Sequence, residues 1–245
     1  MHDSLRIVSV QIGQCRSYLK DGDPSKPWTS AIDKRVVDDA IDVGAMGLAG
    51  DEQADKKNHG GVDKAVLGYC QPHFSQWNQE FPEINWGPGA FGENLTLDGW
   101  LESDVCIGDV FECRGPESNP SDRDDRSAGK SDTKPSQGLR LQISQPREPC
   151  WKLSQRWGLP KLAVRVQQTR RTGWYFRVLN PGQVQAGATL HLIERPAPEF
   201  TIETANDILF AKPRDAEADL KLAACEPLSE AWKENLIRRN AKHVE

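Results

Sequence analysis

The sequence predicts a mainly β chain, a barrel or sandwich of short strands followed by a small helical appendage. Three observations predict it. Apolar or alternating runs of four to seven residues recur between Gly, Pro, Asn and Asp from residue 5 to about residue 191. Sustained helical periodicity is rare over that stretch, and the texture turns helical after Pro196 and Pro198. Short runs bounded by turn residues suit half-buried strands, whereas helices need longer patterns with a 3.6-residue period.

Taken in order, the strand-like runs are Arg6-Ile-Val-Ser-Val-Gln-Ile, Ala65-Val-Leu-Gly-Tyr, Asp109-Val-Phe-Glu-Cys, Leu139-Arg-Leu-Gln-Ile-Ser and Thr189-Leu-His-Leu-Ile. Residues 71–81 predict a helix, with Pro72 near its start and Phe74, Trp77 and Phe81 on one face. Residues 160–168 predict a second, opening at Pro160. Residues 115–138 hold no aliphatic side chain larger than Ala and no aromatic. Such a segment buries too little apolar surface to offset the entropy of ordering it, so a flexible insert joining strands 110–113 and 139–144 is expected. Closure entropy grows only logarithmically with length, so the insert costs the hairpin little. In the tail, Thr201 can cap a helix to about Ala211, Pro213 or Asp215 can open another to Cys225, and Ser229 can cap a third with Trp232, Leu236 and Ile237 on one face. The expected division is a β domain over residues 1–198 and a three-helix domain over 199–245.

Composition narrows the function. The 245 residues carry 31 basic and 36 acidic side chains, a formal charge of −5. Nucleic-acid-coating and polybasic membrane-surface proteins need the opposite surplus, so neither kind of partner is expected. Mean hydropathy is low at −0.64, but eight Trp and seven Phe supply bulk for a core. The first residues do not resemble a signal peptide, and no apolar run approaches the roughly 18 residues of a membrane span, so a cytoplasmic protein is expected. Six widely spread cysteines without a Cys-x-x-Cys pair indicate neither a disulfide framework nor a compact zinc knuckle.

Three segments carry candidate chemistry. In the first, Gly47, Gly50, Gly60 and Gly61 surround Asp51, Lys56, Lys57 and His59, with Lys64 just beyond. Glycine-rich backbone before a strand can present bare N–H groups to an anion, with Lys56 and Lys64 adding charge, though the same composition makes an ordinary solvated turn. In the second, Phe91-Gly-Glu-Asn-Leu puts Glu93 and Asn94 at the mouth of a strand, where they could bond a heterocycle or simply shape a turn. In the third, Gln145-Pro-Arg-Glu-Pro-Cys-Trp-Lys sets Cys150 in a loop stiffened by Pro146 and Pro149 and flanked by Arg147 and Lys152. Neighbouring cations favour thiolate over thiol, and an inert buried cysteine is the alternative.

Together and in this order, the segments resemble the MOSC domain, in its stand-alone YiiM-type form. The resemblance rests on Gly47-Leu-Ala-Gly-Asp-Glu-Gln-Ala-Asp with His59-Gly-Gly, Phe91-Gly-Glu-Asn-Leu, Ile107-Gly-Asp, Gln142-Ile-Ser-Gln-Pro-Arg-Glu-Pro-Cys-Trp-Lys-Leu and Thr172-Gly-Trp-Tyr-Phe-Arg-Val-Leu, and on the three-helix tail. It covers nearly the whole chain. The long 115–138 segment and Gly187-Ala188 in place of Gly-Asp depart from the family pattern.

The resemblance implies a barrel like the pyruvate-kinase β-barrel domain, a molybdenum cofactor (Mo-molybdopterin) and Cys150 as the protein's ligand to the metal. It further implies reduction of small N-hydroxylated substrates, such as hydroxylaminopurine-type base analogues, with electrons from a separate reductase, a flavoprotein or similar. N–O cleavage needs a proton, and His59 is the first candidate donor, with Asp51 orienting it or acting in its place. Arg147, Lys56 and Lys64, with the backbone at Gly60 and Gly61, are expected to anchor the pterin phosphate, and Glu93 and Asn94 the pterin or substrate edge. Two other functions fit the same segment: a carrier of sulfur as a Cys150 persulfide, and a non-catalytic carrier of the cofactor.

Overall fold

The computed structural model describes residues 4–55, 60–114 and 138–241. Seven strands close a barrel: β1 (Ser4–Ile12), β7 (Val66–Cys70), β8 (Leu95–Asp98), β9 (Val110–Arg114), β10 (Arg140–Pro146), β11 (Trp174–Asn180) and β13 (Thr189–Glu194). Their order is β13-β9-β10-β11-β7-β8-β1, and β1 closes it by pairing back onto β13 with Leu5 opposite Leu190. β4 (Arg35–Val37) extends the sheet from β1. Smaller sheets, β2 (Arg16–Lys20) with β3 (Asp23–Ser30) and β5 (Ile41–Gly44) with β6 (Gly47–Leu48) and β12 (Gly182–Val184), flank it. All five expected strand runs are present, and β9 and β10 pair antiparallel on either side of the expected insert. Residues 115–137 of that insert lie outside the described residues, as do Lys56, Lys57 and His59.

Inward-facing side chains fill the barrel: Leu5, Ile7, Leu97, Phe111, Leu141, Ile143, Phe176 and Leu190 are among its fully buried members. β7 differs, because all five of its residues are buried. It pairs parallel with β8, and the crossover between them contains helix α1 (Pro72–Glu80), so one face sees the barrel and the other a helical layer. Val66 and Cys70 point into the barrel core, while Tyr69 joins a second, largely aromatic cluster with Phe74, Trp77, Trp86 and Phe91. Helices α2 (Trp151–Trp157) and α3 (Leu162–Thr169) complete that layer through Leu153, Leu162 and Val166.

The tail folds as α4 (Ile202–Phe210), α5 (Ala216–Ala223) and α6 (Glu230–Ala241). Thr201 caps α4 by accepting from the Thr204 N–H, and Asp215 caps α5 by accepting from those of Glu217 and Ala218. Between the two possible starts of α5, Asp215 prevails because its carboxylate satisfies two otherwise orphaned donors. The expected face of α6 needs one correction: Trp232 and Leu236 are buried, but Ile237 is 54% exposed. At one residue past Leu236 it has turned about 100° away from the core. A buried Arg239–Asp219 pair, with Arg239 also donating to the carbonyls of Ile208 and Leu209, joins all three helices. The buried face of the tail packs into the barrel's own core cluster through Ile202, Ala205, Leu222, Leu228, Trp232 and Leu236.

Candidate functional site

A cleft open to solvent collects residues from widely separated parts of the chain. Its walls come from the loop after β3 (Lys34), the segment after β6 (Asp51 and Asp55), the end of the 3-10 turn Val62–Lys64 (Lys64), the approach to β8 (Phe91 and Asn94), the turn after β10 (Arg147 and Cys150) and β11 (Tyr175). All three candidate segments thus meet here, bringing Cys150, Arg147, Lys64, Asp51 and Asn94 together. Gly60, Gly61 and Glu93 are not part of its lining.

Cys150 is half-buried at the cap position of α2, in extended conformation, and none of the six cysteines is in a disulfide. The Arg147 side chain is buried, donates one Nη2 hydrogen bond to the Phe91 carbonyl at 3.2 Å, and leaves Nη1 without a partner. Guanidinium nitrogens are rarely left so, because an unmade hydrogen bond to a buried charged group is costly. The turn carrying both residues is held at its base by the Arg147 N–H, which donates to the Gly173 carbonyl. Gly173 has a φ of 68°, and a Cβ there would lie 2.3 Å from the Gly68 carbonyl oxygen, so only glycine lets β11 and β7 approach this closely.

One wall of the cleft carries an ion pair that local sequence does not signal. The Lys34 Nζ donates to Asp51 Oδ1 at 2.5 Å, with side-chain exposures of only 6% and 1%. Burial lowers the Lys34 pKa, and Asp51 opposes that shift. Asp51 also accepts from the Gly13 N–H at 2.7 Å and from Asn94 Nδ2 at 2.9 Å. Its carboxylate is therefore an acceptor on both oxygens and serves to hold Lys34 and Asn94 in place. Asn94 is similarly engaged, accepting from the Leu67 N–H and donating to the Gln11 carbonyl. Lys64, also in the cleft lining, has its pKa lowered first by burial, with Glu148 opposing. Burial raises the Tyr175 phenol to about 12.

Glu93 stands behind the wall and shapes it. Its carboxylate accepts from the N–H groups of Gly89 and Phe91 and from the Thr96 hydroxyl, closing the turn that presents Phe91 and Asn94. Burial raises its pKa, opposed by the backbone donors. Arg156 of α2 pins the same turn from the other side, donating to the carbonyls of Ile32, Gly89 and Ala90 and to Asp33. Glu93→Gln would set an amide donor against one of the N–H donors it now satisfies. A loss of about 1–3 kcal/mol is expected, measured by urea denaturation; an unchanged midpoint would mean that Arg156 alone holds the turn.

A seven-stranded closed barrel, the cleft around Cys150 and the helical tail are the structural counterparts of two family matches: the MOSC domain over residues 55–191, and the YiiM-like, 3-alpha helix domain over residues 201–243. The chain belongs to the MOSC-domain family in its YiiM-like form. It is 35% identical to protein YiiM of Escherichia coli (strain K12) over 95% of this chain and 91% of that one. It is 32% identical to a protein of Gibberella moniliformis named reductase, over 84% of this chain but 32% of that longer one. The crystal structure of YiiM from Geobacillus stearothermophilus superposes with a TM-score of 0.73 at 31% identity, covering 96% of this chain and 99% of that one. Among the described residues, no helix is long and apolar enough to cross a membrane.

Proposed function

We propose that the cleft binds a molybdenum-pterin cofactor with Cys150 as the metal's protein ligand, and that the protein reduces small N-hydroxylated compounds to the corresponding amines. Hydroxylaminopurine-type base analogues are the substrate class, and a separate flavoprotein-type reductase is the electron source. The observation that carries the reading is the buried Arg147 Nη1 without a partner, in a cleft that also holds the Cys150 thiol and the cations Lys34, Lys64 and Lys152. A thiolate suits a soft metal, and clustered cations suit a phosphate-bearing organic cofactor. The donor set therefore fits the group the family implies. Membership in the MOSC family, and a relative named reductase, support the same direction.

The overall conversion is R–NH–OH plus two electrons and two protons to R–NH2 and water. When bound, the cofactor supplies the two-electron redox chemistry. The chain's own part is to bind, orient and deliver protons. Arg147 and Lys64 would balance phosphate charge, and Phe91 and Leu67 offer an apolar wall for a flat heterocycle. For the departing oxygen, Lys34 holds a proton at Nζ on the cleft wall, kept in place by Asp51. Burial makes that proton easier to release than an ordinary lysine's. His59, the first candidate from the sequence, lies outside the described residues and is the alternative donor for this step.

The test is to produce the full chain in a host competent for molybdenum-cofactor synthesis, purify it anaerobically, and measure molybdenum, pterin and turnover of a hydroxylaminopurine with a reduced artificial donor. Bound metal and pterin with catalytic amine formation are expected. A folded chain free of both would overturn the reading, and a mass increase of one sulfur on Cys150 would favour the sulfur-carrier function instead.

A further inference from the structure

A second constellation, outside the cleft, combines a thiol, an imidazole and a carboxylate. Cys70 ends β7, His73 lies in the first turn of α1, and Glu102 sits in the turn after β8. All three are buried, at 0%, 5% and 4% exposure. The His73 Nε2 lies 2.7 Å from Glu102 Oε2, and the Cys70 Sγ lies 3.7 Å from the same oxygen. The sulfur, a ring nitrogen and a carboxylate oxygen are all within 4.8 Å of one another.

We propose that Cys70, His73 and Glu102 supply three protein donors of a binding site for a zinc-like divalent cation. Ordinary zinc bonds of about 2.3 Å to sulfur and about 2.0–2.2 Å to nitrogen and oxygen imply tetrahedral edges of about 3.5 Å between sulfur and oxygen and about 3.4 Å between nitrogen and oxygen. The present separations of 3.7 and 2.7 Å differ from these edges by less than an ångström, and the sulfur and ring nitrogen lie within 4.8 Å of each other. The donor set mixes soft, borderline and hard atoms, as zinc accepts and magnesium or calcium do not. Charge balances as well: a divalent cation with one thiolate and one carboxylate is neutral, the state a dry interior tolerates best. Without a cation, Glu102 accepts from the imidazole and the thiol. Binding replaces those hydrogen bonds by metal bonds, releases the thiol proton, and moves the imidazole proton to Nδ1.

The site would be a clamp with consequences for the cleft. The second Glu102 oxygen accepts from the Gly173 N–H at 2.8 Å, and the Gly173 carbonyl accepts from the Arg147 N–H at 3.1 Å. Tyr69, packed edge-on against His73, stacks at 4.3 Å on Phe91 of the cleft wall. Glu102 also accepts from the Glu203 N–H through its own carbonyl, at the first turn of α4. One ion would thus brace β7, α1, the Arg147 turn and the start of the tail.

The experiment uses the full chain without a histidine tag, with Cys15→Ser and Cys150→Ser introduced so that the accessible thiol and the cleft thiol cannot ligate. This variant, exposed to zinc and dialysed, is expected to retain about one zinc per chain by elemental analysis, and cobalt substitution is expected to give thiolate-to-cobalt charge-transfer absorption. Cys70→Ala and Glu102→Gln in the same background should lose both signals. A folded background variant that retains no zinc and shows no cobalt–thiolate band overturns the site, as does retention of both signals in a folded Cys70→Ala chain. If Cys70→Ala does not fold, folded Glu102→Gln and the cobalt spectrum decide.

Discussion

Cys150→Ser is expected to abolish reduction of N-hydroxylated substrate and to strip most of the molybdenum from the purified protein, while leaving the fold in place. The side chain is half-buried at the cap position of α2 and makes no capping hydrogen bond to that helix, so a hydroxyl of nearly the same shape costs the structure little. It costs the site its one soft donor, because the thiolate, not the thiol or a hydroxyl, is the ligand a soft metal takes. Molybdenum content, pterin content and turnover, each compared with wild type, check this alongside a thermal melt. Wild-type turnover in a well-loaded Cys150→Ser protein would remove Cys150 from the mechanism.

Lys34→Met is expected to have the largest effect on stability, a loss of about 3–5 kcal/mol. Asp51 would be left with its side chain almost fully buried and its cation gone, retaining only the Gly13 and Asn94 donors. The double variant Lys34→Met with Asp51→Asn removes the stranded charge and should recover much of the loss, a coupling that a double-mutant cycle in urea measures directly. If the single variant lost less than about 1 kcal/mol, the pair would be behaving as a solvated surface bridge. The same lysine shapes the pH profile of the proposed reaction. Its folded pKa lies below the ordinary 10.5, so the alkaline limb of activity should fall below that value as Nζ loses its proton. That limb should disappear in any residual activity of Lys34→Met.

Much of the barrel was legible because its strands obey local rules. The alternation in 6–12, the five-residue apolar run at 65–69 and the paired runs at 110–113 and 139–144 all report burial on one face or both, and the Thr201 and Asp215 caps announce helix starts. Two further local signals mark chain reversals. Asp21-Gly22, at φ 52° and 74°, is the tight turn of the β2–β3 hairpin, and Gly158, at φ 64°, ends α2. Prolines at 146 and 149 disguised the helix that starts one residue after Cys150.

The candidate site was legible only in part, for a different reason. Cys150, Arg147 and Lys64 stand out as chemistry-bearing residue types in unusual company. Lys34 does not: Ala31-Ile-Asp-Lys looks like any surface turn, and its burial exists only because Asp51, Gly13 and Asn94 converge from elsewhere. Glu93 and Asp51 carry the reverse lesson. Their residue type suggested chemistry, whereas their carboxylates are taken up by backbone and side-chain donors. Nothing short of the fold tells a carboxylate that shapes a loop from one that faces a ligand.

The apolar core runs unbroken from the barrel into the tail, with Trp232, Leu236 and Leu222 in the same cluster as Leu5, Ile143 and Leu190. Ser229 reaches across to the Ser144 carbonyl, and Cys106 bridges to Thr201. The family boundary near residue 200 therefore does not coincide with a gap in the apolar core. Peeling the helices away would expose that shared cluster at the same moment, so one unfolding transition is expected rather than two. A single calorimetric transition is the expected result, and two separated transitions would show that the tail melts on its own.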